Sequence, residues 1–208
     1  MRNIMKKITA LLLTFSMVFS LSVTSFAGTD NNSITEKALK SALNESEVNA
    51  TPIQLSEEEY SKKWNDLFTS ENNVNDFINQ IKNEGFIEDK SFENLAAHIV
   101  GNDNSSTDFY YYFKVYNNNK GEKIYAMFLS NSDADGMPIV YAVKANSNGQ
   151  VSDYYNFKGR LTAPQWLCGL GSEFACKAFS AMLFELGLIA GLVGVGCDVI
   201  FMWACGYA

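Results

Sequence analysis

Apolar and polar positions along the chain follow two periodicities, and the switch between them organises its first 160 residues. From 34 to 46, Ile34, Ala38, Leu39 and Leu43 recur at helical spacing and predict an amphipathic helix. Ser56 followed by Glu59 has the form of a capping box, predicting a second helix that runs to about Phe68. Val74, Phe77, Ile78 and Ile81 predict a third, with Gly85 placed to cap it. Phe92, Leu95, Ala96 and Ile99 continue the helical spacing to Gly101 and predict a fourth. The period then changes. Asp108–Tyr116, Lys123–Leu129, Ile139–Lys144 and Val151–Phe157 are rich in aromatic and β-branched residues. Asn/Gly/Asp turns separate them: Asn117-Asn118-Asn119-Lys120-Gly121, Asp133-Ala134-Asp135-Gly136 and Asn146-Ser147-Asn148-Gly149. The expectation is an α+β fold, N-terminal helices beside a four-stranded antiparallel meander.

The ends of the chain change this picture. Residues 1–27 carry Arg2, Lys6 and Lys7, then an apolar stretch, then Ser25-Phe26-Ala27 with small residues at −3 and −1. That order predicts a secretory signal peptide cleaved between Ala27 and Gly28, and hence a secreted protein. Its removal takes three of the 16 basic residues and none of the 23 acidic ones, which leaves a net charge of −10. Such a balance argues against nucleic acid as a partner, because phosphate binding needs basic patches.

Residues 161–208 differ in composition. They hold all four cysteines, and 32 of the 48 are apolar. Lys158-Gly159-Arg160 stands before this segment and predicts an exposed site for a processing protease between Arg160 and Leu161. The domain expectation is therefore a 1–27 signal peptide, a 28–160 acidic α+β pro-region and a 161–208 hydrophobic peptide.

Four cysteines in an exported chain imply two disulfides, with three connectivities available. If the flanking segments are helical, Cys168–Cys176 and Cys197–Cys205 are each separated by about 12 Å, beyond the roughly 7 Å a disulfide spans. The nested pairing, Cys168–Cys205 with Cys176–Cys197, suits an antiparallel helical hairpin turning at Gly187; the pairing Cys168–Cys197 with Cys176–Cys205 requires parallel legs. A disulfide-linked C-terminal hairpin is thus expected. Each leg would approach the thickness of a bilayer, about 30 Å, with Trp166, Phe179, Leu183 and Trp203 facing the membrane. The same apolar run read as the core of the whole domain, packed under the sheet, is the competing expectation.

Catalytic and metal signals are sparse. His98 is the only histidine, and no Ser-His-Asp or Cys-His set forms around it. Asn131, Asp133, Asp135 and Gly136 imitate the start of a calcium loop, but loop position 12 is Ala142 rather than a bidentate carboxylate. No enzyme activity, cofactor or metal is expected.

The layout resembles the precursors of halocin-type bacteriocins, on the segments Cys168-Gly169-Leu170-Gly171, Cys176-Lys177-Ala178-Phe179, Ile189 through Cys197 and Trp203-Ala204-Cys205. The chain has four cysteines where those peptides carry more. The resemblance implies a secreted antimicrobial peptide precursor whose C-terminal peptide, after proteolytic release, permeabilises the lipid bilayer of target cells. It also implies that the pro-region can act as an immunity element. The alternative is a secreted or membrane-anchored binding module in which the apolar tail is core or anchor.

Overall fold

The computed structural model describes residues 31–46, 48–66, 71–92, 95–102, 108–131, 138–157 and 170–186. In chain order the elements are α1 (Asn31–Ser46), β1 (Ala50–Gln54), α2 (Glu57–Trp64), α3 (Asn72–Asn83), β2 (Ile87–Glu88), a short 3-10 turn (Lys90–Phe92), β3 (Ala96–Gly101), β4 (Asp108–Asn117), β5 (Lys123–Asn131), β6 (Ile139–Ala145), β7 (Val151–Phe157) and α4 (Leu170–Glu185). The strands form one seven-stranded sheet in the order β1-β3-β4-β5-β6-β7, with β2 paired to β4. Every pairing is antiparallel.

The expected meander is present as β4 to β7, but it is only part of the sheet. Three further strands extend it, and this corrects the four-stranded expectation. The segment around Ile99 forms β3 rather than a helix. Ala96, Ala97 and Ile99 are all fully buried, because helices cover both faces of the sheet at this strand. A strand buried on both faces reads as a continuous apolar run, and a short run of that kind imitates helical spacing. β1 carries Pro52 and exposed Ile53 at the sheet edge, where a residue without an N–H is tolerated.

Side-chain alternation divides the core in two. Phe109, Tyr111, Phe113 and Val115 of β4, with Tyr125, Met127 and Leu129 of β5 and Tyr141 and Val143 of β6, face α1 and α4. Tyr110, Tyr112 and Tyr116, with Ile124, Ala126, Phe128, Val140 and Ala142, face α2 and α3. The antiparallel sheet is therefore the middle layer of three.

Local chemistry fixes the elements. Ser56 and Glu59 make the capping box at α2: the Ser56 hydroxyl accepts from the Glu59 amide, and the Glu59 carboxylate accepts from the Ser56 amide at 3.0 Å. The Ser56 hydroxyl also donates to the Glu59 carboxylate at 2.7 Å, and this bond, with the one from the Ser56 amide, holds the Glu59 carboxyl below its ordinary pKa. Beyond α3, Gly85 adopts φ +86° while Phe86 N–H donates to Ile81 C=O at 2.9 Å. This is the left-handed helix stop that glycine admits. Two hairpins share one turn device. The Asn118 side-chain carbonyl accepts from the amides of Lys120 and Glu122, and that of Asn146 from the amides of Asn148 and Gln150.

The C-terminal segment departs most from expectation. Its described part is one helix, α4, and that helix belongs to the core of the whole fold. Phe174, Ala175, Ala178, Phe179, Met182 and Leu183 are fully buried in the cluster shared with α1 and the sheet. The expected self-contained, disulfide-linked hairpin gives way to a helix laid on the sheet. Among the described residues, no helix is long and apolar enough to cross a membrane.

Candidate functional site: the seat of the C-terminal helix

The arrangement most distinctive of this chain is the interface that holds α4. The helix is apolar almost all round, a pattern that belongs to a fully enclosed helix. Its sheet-facing side fits an aromatic floor. The Phe179 ring lies 5.1 Å from Tyr141 and 5.6 Å from Phe113, and Phe174 lies 5.7 Å from Phe109. Edge-on and tilted contacts of this kind add to area burial. The four large side chains Phe174, Phe179, Met182 and Leu183 together contribute on the order of 10 kcal/mol of gross hydrophobic stabilisation.

Polar contacts set the direction of α4 against α1. Lys37 Nζ lies 2.7 Å from Glu185 Oε1, and Lys177 Nζ donates to the Glu45 carbonyl. An early residue of α1 thus meets a late residue of α4, and the reverse holds at the other end, so the helices run antiparallel. Lys177 also pairs with Glu173 one turn away at 2.7 Å. Above this contact a groove of about 730 Å³ opens between the two helices. Ala38, Ser41, Cys176, Ser180 and Ala181 lie along it, and Phe184 stands beside it at 69% exposure.

Of the residues singled out from sequence, Phe179 and Leu183 are placed here, both buried against the sheet rather than on an outer surface. Cys176 lies in the groove, 3% exposed and disulfide-bonded. Cys168, Cys197, Cys205, Trp166, Trp203 and both cleavage junctions, Ala27–Gly28 and Arg160–Leu161, lie outside the described residues.

The opposite face of the sheet holds a second polar feature that sequence reading missed. Lys114 of β4 interrupts the aromatic row facing α2. It is nearly buried, with Glu88 Oε1 at 2.7 Å and the Trp64 ring centroid at 4.1 Å from its Nζ. Tyr60, Trp64, Glu88, Lys90 and Lys114 line a cavity of about 260 Å³ there. The only signal in sequence was a lysine in an otherwise aromatic strand. His98 lies on β3, its Nε2 2.6 Å from Asp108 Oδ1 and its ring stacked on Tyr110 at 4.4 Å. A hydrogen bond to Asp108 and stacking on Tyr110 account for the placement of this histidine. No group of three or more metal-ligating side chains occurs among the described residues. No protein-family model matches the sequence, and comparison with curated proteins and with solved structures finds no match.

Proposed function

We propose that the chain is a secreted precursor of an antimicrobial peptide, in which the 28–160 region keeps the apolar C-terminal segment folded away until cleavage near Arg160 releases it. The observation that supports this reading is the mode in which α4 is held. Its aromatic and aliphatic side chains are buried in the same core as the sheet, yet all four cysteines lie at or beyond position 168. No disulfide can therefore tie the segment to the 28–160 region. One cut between Arg160 and Leu161 leaves only non-covalent contacts. A bilayer offers the apolar side chains a burial comparable to the one they leave, so transfer from sheet to lipid is not opposed by the hydrophobic effect. In the producing cell the cleaved 28–160 region retains the complementary aromatic floor and can recapture stray peptide, which would make it an immunity element.

Intact-mass analysis of unreduced culture supernatant tests the proposal. A peptide beginning near Leu161, lighter by four hydrogens than its reduced form, that releases dye from lipid vesicles is the expected result. A single species from Gly28 to Ala208 with no vesicle activity would sink it. The alternative, a secreted binding module with the tail as core, is favoured by the Lys114 cavity and by the place of α4 in the core. It predicts that the intact chain is the active form.

A further inference from the structure

We propose that the cavity around Lys114 is a binding site for a single neutral sugar ring. The inference goes beyond the precursor reading and is independent of it, because no residue of α4 lines this cavity.

Three parts of the fold build the site. From α2 come Glu57, Tyr60, Ser61 and Trp64, whose spacing of three and four residues puts them on one helix face. Lys114 comes from β4, and Glu88 and Lys90 from β2 and the turn after it. That last stretch is held in place. Glu88 stands opposite Tyr116 in the β2–β4 register, the Asp89 N–H donates to the Val115 C=O at 2.8 Å, and Asn117 Nδ2 donates to Asp89 Oδ2 at 3.1 Å. The site is therefore formed before a ligand arrives, which spares the ordering cost of binding.

Lys114 is the residue that stability alone does not explain. Its side chain is 6% exposed in a strand of aromatic neighbours, where an apolar residue is often at least as stabilising as a buried ion pair. Its Nζ lies 2.7 Å from Glu88 Oε1, and 4.1 Å and 5.5 Å from the ring centroids of Trp64 and Tyr60. Lys90 Nζ approaches the same carboxylate oxygen at 3.9 Å. Both cations meet Oε1, and a carboxylate has a second oxygen with which to accept.

The lining selects the ligand by exclusion. An organic cation would bind over the aromatic rings, but the Lys114 ammonium already stands there. An anion would meet the carboxylates of Glu57 and Glu88. An apolar molecule would strip water from four charged groups, which is costly. A neutral sugar ring meets none of these objections. Its hydroxyls can accept from the lysines and donate to the carboxylates, and its weakly positive C–H face suits the negative face of an aromatic ring. The volume of about 260 Å³ falls below the roughly 300–1,000 Å³ of sites for drug-sized ligands, which suits one ring.

The test uses the whole chain from Gly28 to Ala208. Ligand-observed NMR titration is run with the methyl glycosides of glucose, galactose, mannose and N-acetylglucosamine, and with acetate, tetramethylammonium and glycine. The expected result is saturable binding of at least one glycoside, weakened at least tenfold in Trp64→Ala. Trp64 also packs on Tyr112 and Phe128, so Ser61→Arg is the second variant. It fills the cavity from an exposed position and should weaken binding at least tenfold at an unchanged unfolding midpoint. Tyr154→Ala, exposed on β7, should bind as the wild type does. No saturable binding of any of the four glycosides would overturn the proposal, as would binding that Ser61→Arg leaves intact. Tighter binding of acetate, tetramethylammonium or glycine would assign the cavity to a charged ligand and overturn it as well.

Discussion

Single residues in this fold show where polar groups resist burial. Tyr111 is fully buried on the α1/α4 face, and its hydroxyl has no hydrogen-bond partner among the described residues. A buried hydroxyl without a partner costs about 1–3 kcal/mol. Tyr111→Phe should therefore raise stability, by about 1 kcal/mol, seen as a higher urea midpoint at unchanged slope; a lower midpoint would mean that the hydroxyl is satisfied. The tyrosines also set the alkaline limit. Burial raises the Tyr125 phenol from its ordinary value to about 12, and pushes Tyr111, Tyr112, Tyr116 and Tyr155 up as well. Each is neutral when folded. The unfolded chain deprotonates near pH 10 while the folded chain keeps its protons, so this stabilisation is complete below pH 10 and is lost as the pH rises through about 12. Tyr125 alone accounts for about 2–3 kcal/mol of that loss. The expected behaviour is cooperative alkaline unfolding in which phenolate absorbance and loss of β-sheet signal coincide. Phenolate forming near pH 10 with the sheet intact would contradict it.

Secondary-structure elements differ in how legible they were, and the reason is physical. Helices α1, α2 and α3 announced themselves because each keeps one polar face; the Ser56–Glu59 cap and Gly85 stop were readable for the same reason, since local chemistry suffices. Strands β4 to β7 were visible through their turn residues. β3 was misread because Ala96, Ala97 and Ile99 are buried from both sides, which erases the alternation that marks a strand. β1, only five residues with a proline, carries almost no pattern. The role of α4 was illegible for a different reason: an apolar helix looks alike whether it faces lipid or an aromatic sheet, and only the position of Phe113 and Tyr141 decides. That decision can be checked. Phe179→Ala should cost about 3–4 kcal/mol, whereas Ile87→Ala, at an exposed position, should stay within about 0.5 kcal/mol, both by denaturant unfolding. Similar small effects at both sites would mean that α4 does not lie in the core in solution.

At the scale of the whole molecule, the question is what happens when the chain is cut between its two compositional regions. The sheet has helical cover on both faces, and α4 supplies much of one cover. Removing it would expose Phe109, Phe113 and Tyr141, a contiguous aromatic surface that soluble proteins rarely leave open. The same surface gives the 28–160 region a strong reason to hold the segment after the peptide bond is broken. Gross burial on the order of 10 kcal/mol from four side chains, joined by the Lys37–Glu185 pair, works against the cost of association and favours keeping the cut pieces together. A chain with a specific protease site inserted at Arg160 should, once cut, still elute as one species and separate only in denaturant or in the presence of lipid vesicles. The non-covalent nature of the tie makes this decisive, since every cysteine lies on the C-terminal side of the cut. If the two fragments part spontaneously in buffer, the acidic region is not a keeper of the peptide and the shielding reading fails. If they stay together even with vesicles present, the C-terminal segment is core for good, and the search for activity moves to the cavity around Lys114.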